Sequence, residues 1–205
     1  MIIKKLFHQA IIVLFVLLIL LTVMGCAEDT KDRDYGVFLS VTDDLDSLAE
    51  YKTVVIDAQY FSKEDIDGFF VDNCDLYYFY PSEEIMNALT NIMQAMINTG
   101  KKVIINGGDT YLDAYCNSGG HWDDVITGIN QESVFSKILW DEDKFGTAEA
   151  KDKEYFQDYI ERYAAEGADI YLLEYTTDKS LIKEIKEYCE EKAFNYYISD
   201  SLELD

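Results

Sequence analysis

Histidine is nearly absent from this chain of 205 residues. The sequence holds two histidines, and only His121 lies beyond the apolar N-terminal segment. One histidine cannot form an HExxH or other multi-histidine zinc site, and the GxSxG, P-loop and GxGxxG patterns are missing as well. The sequence therefore lacks the common signatures of zinc proteases, α/β-hydrolases and nucleotide-binding folds, and we expect no metal and no cofactor.

Basic residues are also scarce. Lysine and arginine number 17 against 40 aspartates and glutamates, for a formal charge of −23. Binding to a phosphate backbone needs clustered lysine and arginine, so we expect no nucleic-acid partner. An acidic field attracts a cationic partner or substrate. A solvated acidic surface would account for most of the charge without any such partner.

The cysteines do not suggest a disulfide framework. Beyond Cys26 the chain has three, Cys74, Cys116 and Cys189, and an odd number cannot pair completely. Cys74 and Cys189 lie among apolar residues, which predicts buried thiols.

The N-terminus has the pattern of an export signal. Lys4 and Lys5 precede a nearly continuous apolar run from Ala10 to Val23, which is short for a spanning helix of ~20 residues. Val23-Met-Gly-Cys26 follows and resembles the lipobox of bacterial lipoproteins. We therefore expect a signal peptide over 1–25, lipid on Cys26, a polar tether over 26–34, and a protein anchored at the extracytoplasmic face of the cell membrane. An uncleaved membrane anchor is the alternative.

The remaining chain alternates short apolar runs with amphipathic stretches. Continuous apolar character over about five residues is typical of parallel strands buried on both faces. Seven such runs occur, at 36–39, 53–57, 68–72, 102–106, 126–130, 170–174 and 195–199. This alternation predicts one α/β domain over 35–205 with a parallel (β/α) TIM-type barrel, incomplete at about seven strands.

Three helices can be predicted between these runs. Pro81-Ser-Glu83 opens the first, in which Ile85, Leu89, Ile92, Met93 and Met96 form the buried stripe before Gly100. The second spans about 151–166. Asp178 or Ser180 caps the third, with Leu181, Ile182, Ile185, Tyr188 and Cys189 facing inward.

Polar residues, usually acidic, recur where the predicted strands end. In a (β/α) barrel these ends converge on the face that carries the active site. They are Asp57, Asp72, Asn106, Asn130 with Glu132, Glu174 with Tyr175, and Asp200. Ordinary residues at the start of loops would be the plainer explanation.

Converging carboxylates without histidines favour glycoside hydrolysis. That reaction needs one protonated and one ionised carboxyl, and burial with like-charge proximity moves their pKa values apart. Metal-ion catalysis on carboxylates alone is a less favoured alternative.

Several of these segments together resemble a known family. DGFFVDNCD over 67–75 is similar to the DG-[FV]-x-x-D-[NT]-x-D strand of glycoside hydrolase family 114, the endo-α-1,4-polygalactosaminidase-like TIM barrels. IINGG over 104–108, TGINQES over 127–133, YLLEY over 171–175 and YISD over 197–200 look like later strands of the same barrel. The resemblance runs from about Tyr35 to Asp205.

The resemblance implies a function and a site. Asp72 would be the nucleophile and Glu132 the general acid/base, acting on α-1,4-linked galactosamine-containing polysaccharide. Both residues also have a non-catalytic explanation. Asp72 could belong to an Asp-Asn turn at the end of a strand, and Glu132 could lie at the start of a helix. The cleft would be lined by Asp57, Asp75, Asn106, Glu174, Tyr175 and Asp200, although Asp75 could equally cap the next segment.

One segment of the family pattern is missing. Ser62–Ile66 runs directly into Asp67-Gly68, which leaves too little chain for a crossover between parallel strands, since that takes a dozen or more residues. A barrel lacking its third strand would have open edges. We therefore also consider a non-catalytic polysaccharide-binding relic of the same fold.

Overall fold

The computed structural model describes residues 33–38, 51–56 and 67–202, except Asn73 and Asp143. The predicted signal peptide, Cys26 and Asp57 lie outside the described residues. No helix within the described ranges is long and apolar enough to cross a membrane. The first strand begins at Arg33, two residues before the start predicted for the domain.

Nine strands form three sheets within the described residues. They are β1 (Arg33–Phe38), β2 (Tyr51–Ile56), β3 (Gly68–Val71), β4 (Lys102–Asn106), β5 (Gly128–Glu132), β6 (Ser136–Leu139), β7 (Lys144–Thr147), β8 (Asp169–Tyr175) and β9 (Asn195–Ser199). β1 pairs with β2, and β6 pairs with β7 in an antiparallel hairpin. The main sheet has five parallel strands in the order β3-β4-β5-β8-β9.

The α/β class with a parallel sheet is thus confirmed, and the sheet is open. All seven predicted runs form strands, although β5 begins at Gly128, two residues after the predicted start. The main sheet has five strands and not about seven, because β1 and β2 pair with each other in a separate sheet. In the described structure β3 is an edge strand, as the short connection before Asp67 predicts.

The same part of the chain contains five α-helices. They are α1 (Leu76–Phe79), α2 (Glu83–Ile97), α3 (Asp109–Asn117), α4 (Ala150–Ala165) and α5 (Lys179–Lys192), with a short 3₁₀ helix at Trp122–Asp124. Ser82 Oγ caps α2 by accepting from the Ile85 N–H at 3.2 Å. Asp178, and not Ser180, caps α5, because its Oδ1 accepts from the N–H groups of Ser180 and Leu181.

The two faces of the main sheet have different surroundings. On one, here called the helix face, Val103, Ile105, Ile129, Ile170 and Leu172 pack against α2 to α5. Cys74 and Cys189 are buried in this core, as predicted, whereas Ile92 of α2 is half exposed and was wrongly assigned to the buried stripe. On the opposite side, here called the site face, Ile104, Tyr171, Leu173 and Tyr175 form a separate cluster.

The β6–β7 hairpin was not predicted. It begins four residues after Glu132. Ile138 and Phe145 pair across the hairpin, and both pack against the site-face cluster. The hairpin therefore lies beside the carboxyl end of β5.

Candidate active site

Strand register brings the polar strand ends together. In the parallel sheet Asn106 of β4 lies opposite Asn130 of β5, and Val71 lies opposite Ile105, so Asp72 follows on the neighbouring strand. Alternate residues point to the same face, and Asn106, Asn130 and Glu132 continue the site-face positions. Residues at the carboxyl ends of three adjacent strands therefore meet on one face of the sheet.

Asn106 links the two carboxylates proposed as catalytic. Its amide Nδ2 donates to Glu132 Oε1 at 2.7 Å and to Asp72 Oδ1 at 3.2 Å. One amide nitrogen has two hydrogens, and each can serve one of these acceptors. The arrangement fixes the distance between the two carboxylates.

Asn130 sets the direction in which the Asn106 amide points. Asn130 is 0% exposed, and its Nδ2 donates to Asn106 Oδ1 at 2.7 Å. Since Oδ1 is turned toward this donor, Nδ2 is turned toward Asp72 and Glu132. Asn130 thus acts on the carboxylates through Asn106. The sequence marked Asn130 as a strand end but gave no sign of this role.

Glu132 lies in an environment that favours its protonated form. Burial raises the pKa of its carboxyl above the ordinary value, and the negative charges of Asp72 and Asp75 raise it further, while the hydrogen bonds from Asn106 and Tyr175 oppose this. The Tyr175 hydroxyl donates to Glu132 Oε2 at 3.5 Å. Asp72, by contrast, is exposed. One carboxyl is therefore suited to hold a proton while its neighbour faces solvent.

A glycine turn after β4 holds Asp75 beside this pair. Gly107 and Gly108 both have positive φ, 64° and 73°, which side chains with a Cβ rarely adopt. Gly108 N–H donates to Asp75 Oδ1 at 3.3 Å, and the Tyr159 hydroxyl donates to the Gly107 carbonyl at 3.1 Å. The turn thereby connects the end of β3, the end of β4 and helix α4.

Glu174 does not join this cluster, so its prediction as a cleft residue needs correction. It precedes Tyr175 on β8 and therefore points to the helix face, where it is 0% exposed. Its carboxylate accepts from the backbone N–H groups of Phe135 (3.0 Å) and Ser136 (2.8 Å), and from the Ser136 hydroxyl. Burial raises the pKa of this carboxyl. Its place is at the base of the β6–β7 hairpin.

The other predicted residues are more dispersed. Tyr175 reaches the cluster through Glu132, whereas Asp200 is exposed just after β9, at the edge of the sheet opposite β3. No group of three histidine, cysteine, aspartate or glutamate side chains in the described part of the chain could hold a metal ion. Asn106 was predicted as a cleft residue and does join the cluster, whereas the buried Asn130 behind it and the hairpin residue Phe145 were not predicted as parts of the site.

Fold and site together define an α/β protein whose parallel sheet carries two carboxylates at the carboxyl ends of its strands. No family model matches the sequence, and no curated protein does. Among solved structures, the glycoside hydrolase domain of PelA from Pseudomonas aeruginosa is similar, with a TM-score of 0.55 and 17% identity. A variant of that domain gives the same values.

The match to the PelA domain covers 72% of this chain and 58% of the other. The chain therefore spans less than two thirds of its structural neighbour. At 17% identity the likeness is one of fold alone, over the part of the domain that the match covers.

Proposed function

We propose that this protein is a glycoside hydrolase that uses Asp72 and Glu132 as its catalytic pair. The observation that carries the proposal is the Asn106 amide, which donates to both carboxylates at once. The likeness in fold to a glycoside hydrolase domain adds support. Two carboxyl groups flanking one bond, one protonated and one ionised, are the requirement for this reaction.

The surroundings of each carboxyl assign its role. Glu132, whose pKa is raised by burial and by nearby negative charge, gives its proton to the glycosidic oxygen as the bond to the anomeric carbon breaks. The Asp72 carboxylate attacks that carbon and forms a glycosyl-enzyme ester. Glu132, now ionised, then takes a proton from water, which attacks the same carbon and releases Asp72.

The distance between the carboxylates predicts the stereochemical outcome. Both oxygens lie within 3.2 Å of one nitrogen, so they are less than about 6 Å apart. Retaining glycosidases have ~5–5.5 Å between their carboxyls and inverting ones ~6.5–9.5 Å. We therefore expect the first product to keep the anomeric configuration of the substrate.

Proton NMR of the products from the purified protein and a galactosamine-rich polysaccharide tests activity and stereochemistry together. Reducing ends with the α configuration should form first and mutarotate later. Initial β anomers would contradict retention, and an unchanged polymer would contradict hydrolysis. The Asp72→Asn variant is the control, and we expect it to release no new reducing ends.

The proposed substrate is an α-1,4-linked galactosamine-containing polysaccharide. The segments that resemble glycoside hydrolase family 114 support this choice, and so does the net charge of −23, which suits a polymer with free amino groups. Hydrolysis of the deacetylated polymer should slow as salt is added, because salt screens exposed charges over ~10 Å at 0.1 M.

Asn130 offers a test of the hydrogen-bonded arrangement. In Asn130→Asp the donor to Asn106 Oδ1 is replaced by a carboxylate oxygen, which can only accept. We therefore expect the Asn106 amide to turn over, so that its Nδ2 no longer donates to Glu132. The loss of that donor and the added negative charge both raise the pKa of Glu132 further. We expect kcat to fall by roughly tenfold or more, and the alkaline limb of the pH–rate profile to move to higher pH.

A purely structural role for Asn130 would lower the melting temperature and leave the pH–rate profile in place. Asn195→Asp is a suitable control, because Asn195 donates to the Ile170 carbonyl at the opposite end of the strands. We expect that variant to keep the wild-type pH profile.

We also propose that the protein is held at the extracytoplasmic face of the cell membrane by lipid on Cys26. The supporting pattern is Lys4 and Lys5, the apolar run to Val23, and the small residue Gly25 before the cysteine. Cells given labelled palmitate should transfer the label to the wild-type protein and not to Cys26→Ser. Equal labelling of both proteins would contradict the proposal.

A second function has a specific observation in its favour. In the described structure β3 ends the sheet at an open edge, where a complete barrel would continue. A protein that binds polysaccharide without cleaving it would fit that edge. Polymer binding in the absence of new reducing ends would favour this function, and turnover that depends on Asp72 excludes it.

A further inference from the structure

The tip of the β6–β7 hairpin carries a tryptophan that packs against little of the protein. Trp140 follows β6 directly and is 74% exposed, whereas the chain's only other tryptophan, Trp122, is 7% exposed. Single exposed apolar side chains are common on protein surfaces. Trp140 differs from such residues in two respects: the base of its hairpin is fixed by buried hydrogen bonds, and the middle of the hairpin contacts Tyr175 of the proposed site.

The base of the hairpin is fixed by buried hydrogen bonds. Glu174 accepts from the backbone of Phe135 and Ser136, and the Ser136 hydroxyl also accepts from the Tyr175 N–H at 3.0 Å. These bonds tie the start of β6 to β8. Bonds of this kind to a fully buried carboxylate are costly to leave unmade, so the hairpin leaves the sheet in a defined direction.

The middle of the hairpin contacts the proposed catalytic site. The Phe145 ring lies 5.9 Å from the Tyr175 ring, and the Tyr175 hydroxyl donates to Glu132. Trp140 lies two residues beyond Ile138, which pairs with Phe145, and so it stands nearer the tip of the hairpin. The tip is therefore carried by a hairpin that contacts Tyr175, the hydrogen-bond partner of the proposed acid.

The chemistry of the tip suits one class of ligand. Trp140 is followed by Asp141 and Glu142, and the Glu142 carboxylate lies 3.5 Å from the Lys144 ammonium. An indole ring offers a flat apolar surface to the C–H face of a pyranose, and neighbouring carboxylates attract ammonium groups. A polymer of amino sugars presents both features.

From these observations we infer that Trp140 forms a sugar-binding subsite for the galactosamine-containing polysaccharide, outside the cleavage point. The inference rests on the proposed function, because it takes the same polymer as ligand. It adds a specific position on the protein at which the polysaccharide is bound. The hairpin then acts as an arm that keeps a long substrate in line with Asp72 and Glu132.

The two tryptophans allow a direct binding test. In the full chain carrying Glu132→Gln, which leaves the polymer uncleaved, acrylamide should quench Trp140 strongly and Trp122 weakly. Saturating galactosamine-rich polysaccharide should reduce the quenching at least twofold, and Trp140→Phe in the same background should show no such change. Quenching that is unaffected by the polymer would overturn the subsite.

Kinetics with substrates of different length provide a second test. Trp140→Ala should lower kcat/KM about tenfold on the polymer, or ~1.4 kcal/mol, and less than twofold on the shortest oligosaccharide that is cleaved. The control is Ile92→Ala, which shortens a half-exposed apolar side chain on α2 and should match wild type on both substrates. Equal losses by Trp140→Ala on both substrates would overturn the subsite.

The two proposals fail in different ways. If the polymer protects Trp140 but is never cleaved, the subsite stands and the hydrolase proposal fails. If the polymer is cleaved while Trp140 remains fully quenchable, the hydrolase proposal stands and the subsite is wrong.

Discussion

Replacing Glu132 by glutamine should lower kcat by roughly 10²–10⁴-fold, the range that a general acid contributes. Glutamine can still accept from Asn106 Nδ2 through its amide oxygen, so the position of the side chain is kept. What is lost is the proton that Glu132 gives to the leaving oxygen. Initial rates of reducing-end release from the polymer measure the effect, and activity within tenfold of wild type would contradict the assignment.

The same substitution should stabilise the protein at neutral pH. Burial and the charge of Asp72 raise the pKa of folded Glu132 above its value in the unfolded chain. Between these two pKa values the folded state binds more protons, so the free energy of unfolding falls as pH rises through that window. Glutamine does not titrate, so the Glu132→Gln variant does not lose stability in this way as pH rises. We expect the melting temperature of the variant to exceed that of wild type at pH 7.

The stability gain should shrink as the pH falls, and it should vanish below the ordinary glutamate pKa, where wild-type Glu132 is protonated in both states. Glu154→Gln is the matched control, because Glu154 is exposed on α4. We expect it to change neither activity nor melting temperature. A Glu132→Gln protein that is less stable than wild type at neutral pH would contradict the raised pKa.

Loss of the Glu174 carboxylate should have the largest effect on stability. Glu174→Ala leaves three buried donors without an acceptor, namely the Phe135 and Ser136 N–H groups and the Ser136 hydroxyl. Each unpaired buried group costs about 1–3 kcal/mol, so we expect the free energy of unfolding to fall by about 3 kcal/mol or more. Urea unfolding followed by circular dichroism measures the loss.

Glu174→Gln should be milder, since its amide oxygen can still accept while its amide nitrogen faces one of the donors. We expect a loss of about 1–3 kcal/mol, from the one donor left without an acceptor. Glu154→Gln again serves as the control. If Glu174→Gln and Glu174→Ala unfold at the wild-type urea concentration, the carboxylate does not hold the base of the hairpin.

The sequence was sufficient to predict most elements of the main sheet. Its five strands are short, nearly continuous apolar runs, which predict burial on both faces, and α2, α4 and α5 have clear helical periodicity. α3 was not predicted. The β6–β7 hairpin was also missed, because its strands of four residues mix lysine with apolar residues and carry no strong turn signal.

The sequence could not decide which strand-end residues share a face. Glu174 and Tyr175 are consecutive and were both predicted to line the cleft, yet only Tyr175 reaches Glu132. Successive side chains point to opposite faces, but a strand buried on both faces shows no alternation of apolar and polar residues to mark the site face. The direction of each side chain therefore becomes visible only when the neighbouring strands are in register.

By itself the sequence determined the chemical groups: acidic and amide residues at the ends of buried parallel strands, with no histidine set. The tertiary structure decided which of them meet. Asn106 and Asn130 are 24 residues apart and pair only through the β4–β5 register, and that pairing turns the Asn106 amide toward Asp72 and Glu132. Composition and spacing carry no information on the orientation of an amide, because neighbouring hydrogen bonds in the folded protein set it.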